Sequence, residues 1–224
     1  EGLTSLAKID SPDLVHQTIY FDGEKAYLFD GSVVGSISFK TNKTYAIDYK
    51  SAKQLSLLLS NSQEGKVKLK YLEDNEKVLV KTLTDVLTFI VFEEELFDIS
   101  FINEYTEEMS FKVNRLDLIN SINRTKLATE EDEIYLQLKD NKLNLKGMSD
   151  GGEEATDFLD ISVVKDSEEI RKGSLEVLSQ NLLNLSGIVR NNELIIGIDT
   201  ENLFLNIRDS KGNINSICSF NFEV

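Results

Sequence analysis

The sequence predicts an α+β protein built from two similar halves, each with two helices packed on antiparallel strands. Apolar and polar residues alternate over many short runs, which is typical of strands that bury one face. Short turns such as Asp22-Gly23 join neighbouring runs into hairpins. The order of elements then repeats, because Ile19 lies 115 positions before Ile134, and Leu69 lies 125 positions before Leu194. We interpret the repeat as an internal duplication of roughly 110 residues.

The composition is that of a globular protein without a membrane segment. The 224 residues are enough for one or two domains with hydrophobic cores, and 41% of them are hydrophobic. We expect no membrane contact and a cytoplasmic location, because no apolar run nears membrane-spanning length and no basic-then-apolar leader is present. The one cysteine, Cys218, excludes an internal disulfide and fits a reducing compartment.

The net charge of −15 limits how the protein could bind nucleic acid. The chain has 24 basic and 39 acidic residues, and both halves are acidic. A protein that binds phosphates over a broad surface is normally basic. Any contact with DNA must therefore be confined to a small favourable surface, while the acidic remainder keeps the protein soluble.

The first half is predicted to contain two helices and seven strands. Apolar residues recur at helical spacing over 2–9 and again over 50–60, where Ala52, Leu55 and Leu58 belong to the core stripe. The strands are predicted at 17–21, 24–29, 32–39, 44–47, 67–72, 77–83 and 85–92. The last of these strands is almost wholly apolar, so we expect it to be buried on both faces.

An acidic segment separates the two halves. Residues 93–108 carry many carboxylates with isolated large apolar side chains, and they break the pattern of strands and helices. We therefore predict a first domain over 1–93, an interdomain connector over 94–108 and a second domain over 109–224.

The second half repeats the pattern and is the better organised of the two. A strand over 109–113 leads to Asn114, a residue type that caps helices. The helix that follows has as its apolar residues Leu116, Leu118, Ile119, Ile122 and Leu127. A second helix is predicted at 174–185, and strands are predicted at 133–138, 142–148, 157–164, 193–198, 202–207 and 214–222. The remaining surface of the first helix is basic and rich in amides, which by itself most often indicates an ordinary solvent-facing surface.

No pattern of catalytic or metal-binding residues emerges. His16 has no second histidine and no neighbouring cysteine for a zinc site, so a structural role is favoured. The carboxylates over 150–157 lack the spacing of an EF-hand, which favours an exposed acidic loop. No GxxxxGK[ST] phosphate-binding loop is present. We therefore predict that the protein is not an enzyme and uses no metal or cofactor.

The duplicated arrangement and three local segments resemble DNA polymerase sliding clamps. The segments are IYFDGEKAYLFD at 19–30, VNRLDLINSINR at 113–124 and IYLQLKDNKLNL at 134–145. In size the chain is most similar to the two-domain processivity factors of phages, archaea and eukaryotes, since bacterial clamps have three domains. The resemblance implies a duplicated DNA-clamp fold and a non-catalytic ring, a homotrimer with helices inside and sheets outside, that encircles double-stranded DNA of any sequence. It implies a DNA polymerase and a clamp loader as partners, at the nucleoid or in the host cytoplasm if the protein is phage-encoded.

The resemblance also implies which residues meet the DNA. Basic and amide side chains on the inner helices would contact phosphates weakly, as sliding requires. These candidates are Lys8, Lys50, Lys53, Arg115, Asn120, Asn123, Arg124, Lys126 and Arg190. The helix predicted at 174–185 departs from this pattern, because Gln180, Asn181 and Asn184 are polar but uncharged.

A second implied surface is a groove for partner peptides beneath the connector. Its candidate residues are Leu28, Phe29, Val33, Leu96, Phe97, Ile99, Phe101, Phe222 and Val224. Large apolar residues in an acidic segment suit a docking surface, and they suit equally the pinning of a connector to a sheet. The alternative to a clamp is a β-rich structural or assembly protein, such as a phage virion component, in which the basic helix faces are incidental.

Overall fold

The computed structural model describes residues 14–41, 43–61, 68–72, 76–82, 86–91, 102, 104–129 and 132–223. The chain divides into two compact units, unit 1 over Glu1–Ile99 and unit 2 over Ser100–Val224. The predicted helix at 2–9 lies outside the described residues, and the predicted limits of the connector stay a prediction. Among the described residues, no helix is long and apolar enough to cross a bilayer.

Unit 1 contains seven strands and one helix in the described part of the chain, besides a 3₁₀ turn at Leu14–Gln17. The elements are β1 (Thr18–Phe21), β2 (Lys25–Phe29), β3 (Val33–Ser38), β4 (Tyr45–Asp48), α1 (Tyr49–Asn61), β5 (Lys68–Leu72), β6 (Lys77–Lys81) and β7 (Val86–Ile90). The first four strands form an antiparallel sheet in the order β3-β2-β1-β4, and the last three form a second sheet in the order β5-β6-β7.

Unit 2 contains ten strands and three helices with described bounds, besides a 3₁₀ turn at Lys126–Ala128 and the helical residues Ile102 and Glu104. The elements are β8 (Met109–Asn114), α2 (Arg115–Thr125), β9 (Glu133–Lys139), β10 (Lys142–Met148), β11 (Glu154–Asp160), β12 (Ser162–Lys165), α3 (Glu168–Lys172), β13 (Ser174–Leu178), α4 (Ser179–Ile188), β14 (Glu193–Asp199), β15 (Phe204–Arg208), β16 (Ile214–Ser219) and β17 (Asn221–Glu223). Its strands form two antiparallel sheets in the orders β12-β8-β14-β15-β16 and β11-β10-β9-β13-β17.

The two units share one plan, which confirms the predicted duplication. The order β3-β2-β1-β4 in unit 1 matches β11-β10-β9-β13 in unit 2, and β5-β6-β7 matches β14-β15-β16. The register also agrees, because Thr18 pairs with Asp48 as Glu133 pairs with Leu178. In both units a helix begins at the residue that directly follows this last strand. Ile19 and Ile134 lie in the equivalent strands β1 and β9, and Leu69 and Leu194 lie in the equivalent strands β5 and β14.

Unit 2 differs from the prediction in four places, and one of them is the strand predicted at 214–222, which is the two strands β16 and β17 in different sheets. Residues 174–178, predicted as the start of a helix, form β13, because Leu175 and Val177 alternate into the core between β9 and β17 while Leu178 is 41% exposed. The strand predicted at 157–164 is two strands, β11 and β12, which lie in different sheets on either side of Ile161. The short helix α3 was not predicted.

The expectation that the strand at 85–92 is buried on both faces is wrong. Phe89 is buried, but Val86 and Ile90 are 56% and 60% exposed. β7 pairs only with β6 among the described residues, so it lies at an edge of its sheet. Only the core-facing side of β7 is covered. Val86 and Ile90, on its other side, therefore form an accessible apolar surface.

Asp199 ties the segment that precedes β8 to the rest of unit 2. Its carboxylate accepts hydrogen bonds from the N–H of Thr106 at 2.6 Å, and from the backbone and side-chain N–H of Asn202, both at 3.0 Å. Burial raises the pKa of Asp199, but hydrogen bonds from Asn202 and from the N–H groups of Thr106 and Glu201 outweigh burial and hold that pKa below its usual value. Asp199 is therefore ionised when it anchors the segment.

We expect Asp199→Asn to lower the free energy of unfolding of unit 2 by about 2 kcal/mol at neutral pH, since three N–H donors lose a charged acceptor. A carboxylate whose folded-state pKa is lowered stabilises the fold above its unfolded-state pKa of about 3.9, and the effect fades as the pH falls through the folded-state value. The difference between the two proteins should therefore shrink below about pH 4. Urea unfolding at neutral and acid pH measures it, and a pH-independent difference would contradict the assignment.

Candidate nucleic-acid interface

Two lysines lie on the exposed face of α1. The helix begins directly after β4, where the Asp48 carboxylate accepts hydrogen bonds from the backbone N–H of Ser51 at 2.8 Å and from its hydroxyl at 3.2 Å. The predicted apolar stripe is buried, which turns Lys50 and Lys53 outward. Neither lysine forms an ion pair with any residue that the structure describes. Both charges are available to an anionic partner.

The exposed face of α2 is polar but nearly neutral. As predicted, the Asn114 side chain caps the helix, accepting hydrogen bonds from the N–H groups of Leu116 at 2.9 Å and Asp117 at 3.2 Å. Leu118 and Ile122 are buried on the core side. The side chains that point outward along α2 and the turn after it are Leu116, Asp117, Asn120, Asn123, Arg124 and Leu127. The face therefore carries one acidic and one basic group.

Two residues predicted for the apolar stripe of α2 are instead exposed. Leu116 is 58% exposed and Leu127 is 83% exposed. Leu116 lies in the first turn, on the side opposite Leu118, and Leu127 follows the helix in the 3₁₀ turn, where the helical periodicity ends. The two leucines therefore flank the exposed amides of Asn120 and Asn123.

Arg115 links α2 to α4. Its Nε donates a hydrogen bond to the carbonyl oxygen of Ser186 at 2.8 Å, in the last turn of α4, where a cation is favoured by the helix dipole. Along α4 itself, Gln180 donates to Asn184 at 2.9 Å, Asn181 is buried and no side chain is charged. Arg115 therefore positions two helices, and α4 adds no charge to the surface.

Arg124 is held by a carboxylate on β11. Its Nε donates to Asp157 Oδ2 at 2.8 Å, and its Nη2 donates to the same oxygen. Burial raises the pKa of Asp157, but hydrogen bonds led by that from Arg124 outweigh burial and hold the pKa below its usual value. The pair is ionised at neutral pH, so the charge of Arg124 is largely neutralised locally.

The remaining candidates for DNA contact are dispersed. Lys126 forms an ion pair with Asp132 across 3.6 Å. Arg190 is exposed just beyond α4, and it has an interaction of its own. Lys8 lies outside the described residues. The structure thus brings Asn120, Asn123 and Arg124 together on α2 and leaves Lys50 and Lys53 together on α1.

Gly147 on β10 sets how closely α2 approaches its sheet. A Cβ at this position would lie 2.2 Å from the carbonyl oxygen of Thr125, the last residue of α2. We expect Gly147→Ala to cost about 2–3 kcal/mol of unfolding free energy, because the helix must move away from the strand. The control is Gly187→Ala within α4, where a Cβ meets nothing within 4 Å. It should instead stabilise by about 0.5–1 kcal/mol. Thermal unfolding compares the two variants, and equal effects would contradict the close approach.

The candidate groove residues have unequal access. Leu28 and Val33 are fully buried, so neither offers surface to a peptide in this conformation. Phe29 is half-buried and packs edge-on against His16, with ring centroids 5.5 Å apart. Phe222 on β17 is half-buried beside Gly173. The other candidates, Leu96, Phe97, Ile99, Phe101 and Val224, lie outside the described residues.

The described residues include no group of three His, Cys, Asp or Glu side chains that could hold a metal ion. His16 is half-buried against Phe29, and its ring would lie 3.2 Å from a Cβ at Gly31. Cys218 is buried in β16. Both residues thus lie in packed surroundings.

The fold matches solved structures over almost its whole length. A DNA polymerase sliding clamp from Pseudomonas aeruginosa matches with a TM-score of 0.78 and 14% identity, over 98% of this chain and 62% of that one. A DNA polymerase III beta subunit from Eubacterium rectale matches with a TM-score of 0.77 and 13% identity, over 98% of this chain and 61% of that one. The beta sliding clamp of C. crescentus matches with a TM-score of 0.75 and 11% identity, over 98% of this chain and 61% of that one.

The chain has the DNA sliding-clamp fold. Neither a family model nor a curated protein matches the sequence, so the likeness is one of structure. The predicted α+β class with duplicated clamp units is confirmed. The chain spans about three-fifths of the length of the bacterial clamps that it matches.

One feature of this clamp fold was not predicted from the sequence. Val86 and Ile90 on β7 and Phe158 on β11 are large apolar residues exposed on edge strands. Val86 and Ile90 lie in an almost wholly apolar run and Phe158 stands next to Leu159, so no alternation in the sequence assigned them to the outer face. Whether a strand lies at an edge cannot be read from its own residues.

Proposed function

We propose that this chain is the subunit of a non-catalytic processivity ring, in which copies join head to tail around duplex DNA and hold a DNA polymerase on its template. The observation that carries this proposal is the clamp fold, matched over 98% of the chain. The shared plan of the two units supports it, since similar units suit a closed ring. Retention on DNA is then topological, so weak contacts with phosphates of any sequence suffice and sliding remains easy.

Exposed sheet edges supply a means of assembly. Among the described residues, β7 is an edge of unit 1 and β11 is an edge of unit 2. Both carry exposed apolar side chains, and Phe158 on β11 is 59% exposed. An uncovered apolar edge favours pairing with another chain. Since the two edges differ, pairing β7 of one copy with β11 of the next is heterologous, and it closes into a ring when the rotation permits. We propose a homotrimer.

Unit 1 provides most of the attraction for the duplex. Lys50 and Lys53 on α1 are without ion pairs among the described residues, whereas Arg124 and Lys126 are each bound to a carboxylate. The exposed faces of α2 and α4 add amides and leucines but little net charge. A lining with so few free cations fits a net charge of −15 and weak, sequence-independent contact.

The proposed partners besides DNA are a DNA polymerase and a clamp loader, and the proposed location is the cytoplasm, at replicating DNA. Sedimentation of the purified chain and its retention on nicked circular DNA test the ring. A trimer that stays on circular DNA at high salt and is lost when the circle is cut would support the proposal. Equal binding to circular and linear DNA, or a filament without DNA retention, would overturn it and favour a structural protein.

A further inference from the structure

The outward face of the three-stranded sheet in unit 1 is basic, although the protein is acidic. Val78, Val80 and Phe89 are buried, so the residues that alternate with them point away from the core. The register aligns these outward residues in three rows, which we call the lysine face: Lys68, Lys81 and Val86; Lys70, Leu79 and Thr88; Leu72, Lys77 and Ile90.

The lysine face concentrates positive charge that no described residue pairs with. It holds four lysines and no acidic residue, whereas the whole chain has 39 acidic and 24 basic residues. Lys68, Lys70 and Lys81 are exposed, and none of the four lysines has an ion pair with a residue in the described segments. Lys68 lies directly opposite Lys81, and like charges in opposed positions destabilise a sheet. The stability of the fold therefore does not account for the cluster.

The surroundings of the lysines distinguish between anionic partners. The lysine face has no arginine that could form bidentate hydrogen bonds to a phosphate, and no aromatic ring on which a base could stack. It carries aliphatic groups instead, with Leu79 at its centre and the exposed Val86 and Ile90 along β7. Three strands of five residues span about 10 by 14 Å, which suits contact with a few residues of a bound segment.

We propose that the lysine face docks a short acidic segment of a partner protein. Asp and Glu side chains of the segment meet the four lysines, and one or two of its aliphatic side chains contact Leu79 and Val86. The charges orient the segment and speed its encounter, while the aliphatic contacts add affinity. Docking uses the side chains of the sheet face, so it leaves the backbone edge of β7 open and does not depend on ring assembly.

Nuclear magnetic resonance of the full chain labelled with ¹⁵N-lysine tests the proposal. The probe is a synthetic peptide of about twelve residues, made of Asp and Glu with two central leucines. We expect saturable shifts in the amide signals of Lys68, Lys70, Lys77 and Lys81. We also expect Lys70→Gln with Lys81→Gln to weaken peptide binding about fivefold to tenfold.

The matched control removes the same charge from two neighbouring lysines of unit 2. Lys139 lies opposite Lys142 on the β9–β10 hairpin, but Asp160 lies opposite Lys142 on its other side. Lys139→Gln with Lys142→Gln should leave peptide binding unchanged. An equal loss in the control, or no saturable shift at the four lysines, would overturn the proposal.

Three further measurements distinguish an acidic peptide from a nucleic acid, a second copy of the chain and a role in folding. A DNA oligonucleotide that shifts the four lysines while the peptide does not would make the face a nucleic-acid site. Loss of self-association in the Lys70→Gln, Lys81→Gln variant would make it an interface between copies. Lys81→Glu places opposite charges across from Lys68, so it should raise the melting temperature by about 1–3 °C while weakening peptide binding. A lower melting temperature would show that the lysines serve the fold.

Discussion

Lys50→Glu combined with Lys53→Glu will slow the loading of the protein onto circular DNA about tenfold or more at moderate salt. These lysines are the basic side chains on the exposed face of α1, and they have no ion pair among the described residues. Reversing both charges replaces attraction to phosphates by repulsion. The loading rate should also depend less on salt concentration, because fewer phosphates are neutralised during the encounter. Fluorescent protein on tethered circles measures the loading rate directly.

The matched control for this variant reverses two lysines that are already paired. Lys112 binds Glu193 at 2.9 Å, and Lys146 binds Glu154 at 3.0 Å. Lys112→Glu with Lys146→Glu changes the net charge equally, so it separates a local effect of α1 from general repulsion. Arg124→Glu should also have less effect than the α1 variant, because Asp157 already neutralises Arg124. Equal loading rates for all three variants would remove α1 from the DNA interface.

We expect Phe158→Asp to convert the proposed trimer into folded monomers at micromolar concentration. The Phe158 side chain is 59% exposed on the edge strand β11, so its loss should hardly affect the fold. A charge at this position opposes strand pairing between copies. We expect each interface to weaken by about 2 kcal/mol or more, which is about thirtyfold in dissociation constant. Sedimentation velocity reports the mass, and circular dichroism reports whether the monomer is folded.

Met148→Asp provides the control for the assembly. Met148 is 48% exposed and lies on the same face of the same sheet as Phe158, but on β10, which has strands on both sides. Its substitution should leave the mass of the assembly unchanged. An unchanged mass for Phe158→Asp, or dissociation of both variants, would exclude β11 as the edge through which copies join.

Local signals predicted much of the secondary structure correctly. Asn114 caps α2 because its side chain reaches N–H groups only two and three residues ahead, which depends on neighbours in the sequence. The hairpin of β9 and β10 was predicted because alternation and a short turn lie within one segment. The same logic failed for 174–178, where Leu175, Leu178 and Leu182 recur at helical spacing. Pairing with β9 and β17, distant in the chain, makes that segment a strand.

The partners of the candidate DNA-binding residues were not predicted, although the elements that carry these residues were. Arg115 and Arg124 are on α2 as expected, but their partners Ser186 and Asp157 lie far away in sequence. An ion pair or a helix-end interaction of this kind leaves no periodic pattern in the sequence. The sequence therefore could not show that a carboxylate pairs with Arg124. The four lysines of the sheet face were overlooked because each one alone looks like an ordinary solubilising residue.

The sequence by itself determined the α+β class, the order of most elements and the duplication, because periodicity, capping and repeat offsets are properties of neighbouring residues. Only the tertiary structure decided which strands are edges and which cations of the described segments are held by carboxylates. Those outcomes depend on interactions between residues that are distant in the chain, as with Arg124 and Asp157 or with the opposed lysines Lys68 and Lys81. Strand register and contacts between distant residues form only on folding. They therefore determine which charged and apolar surfaces a partner can reach.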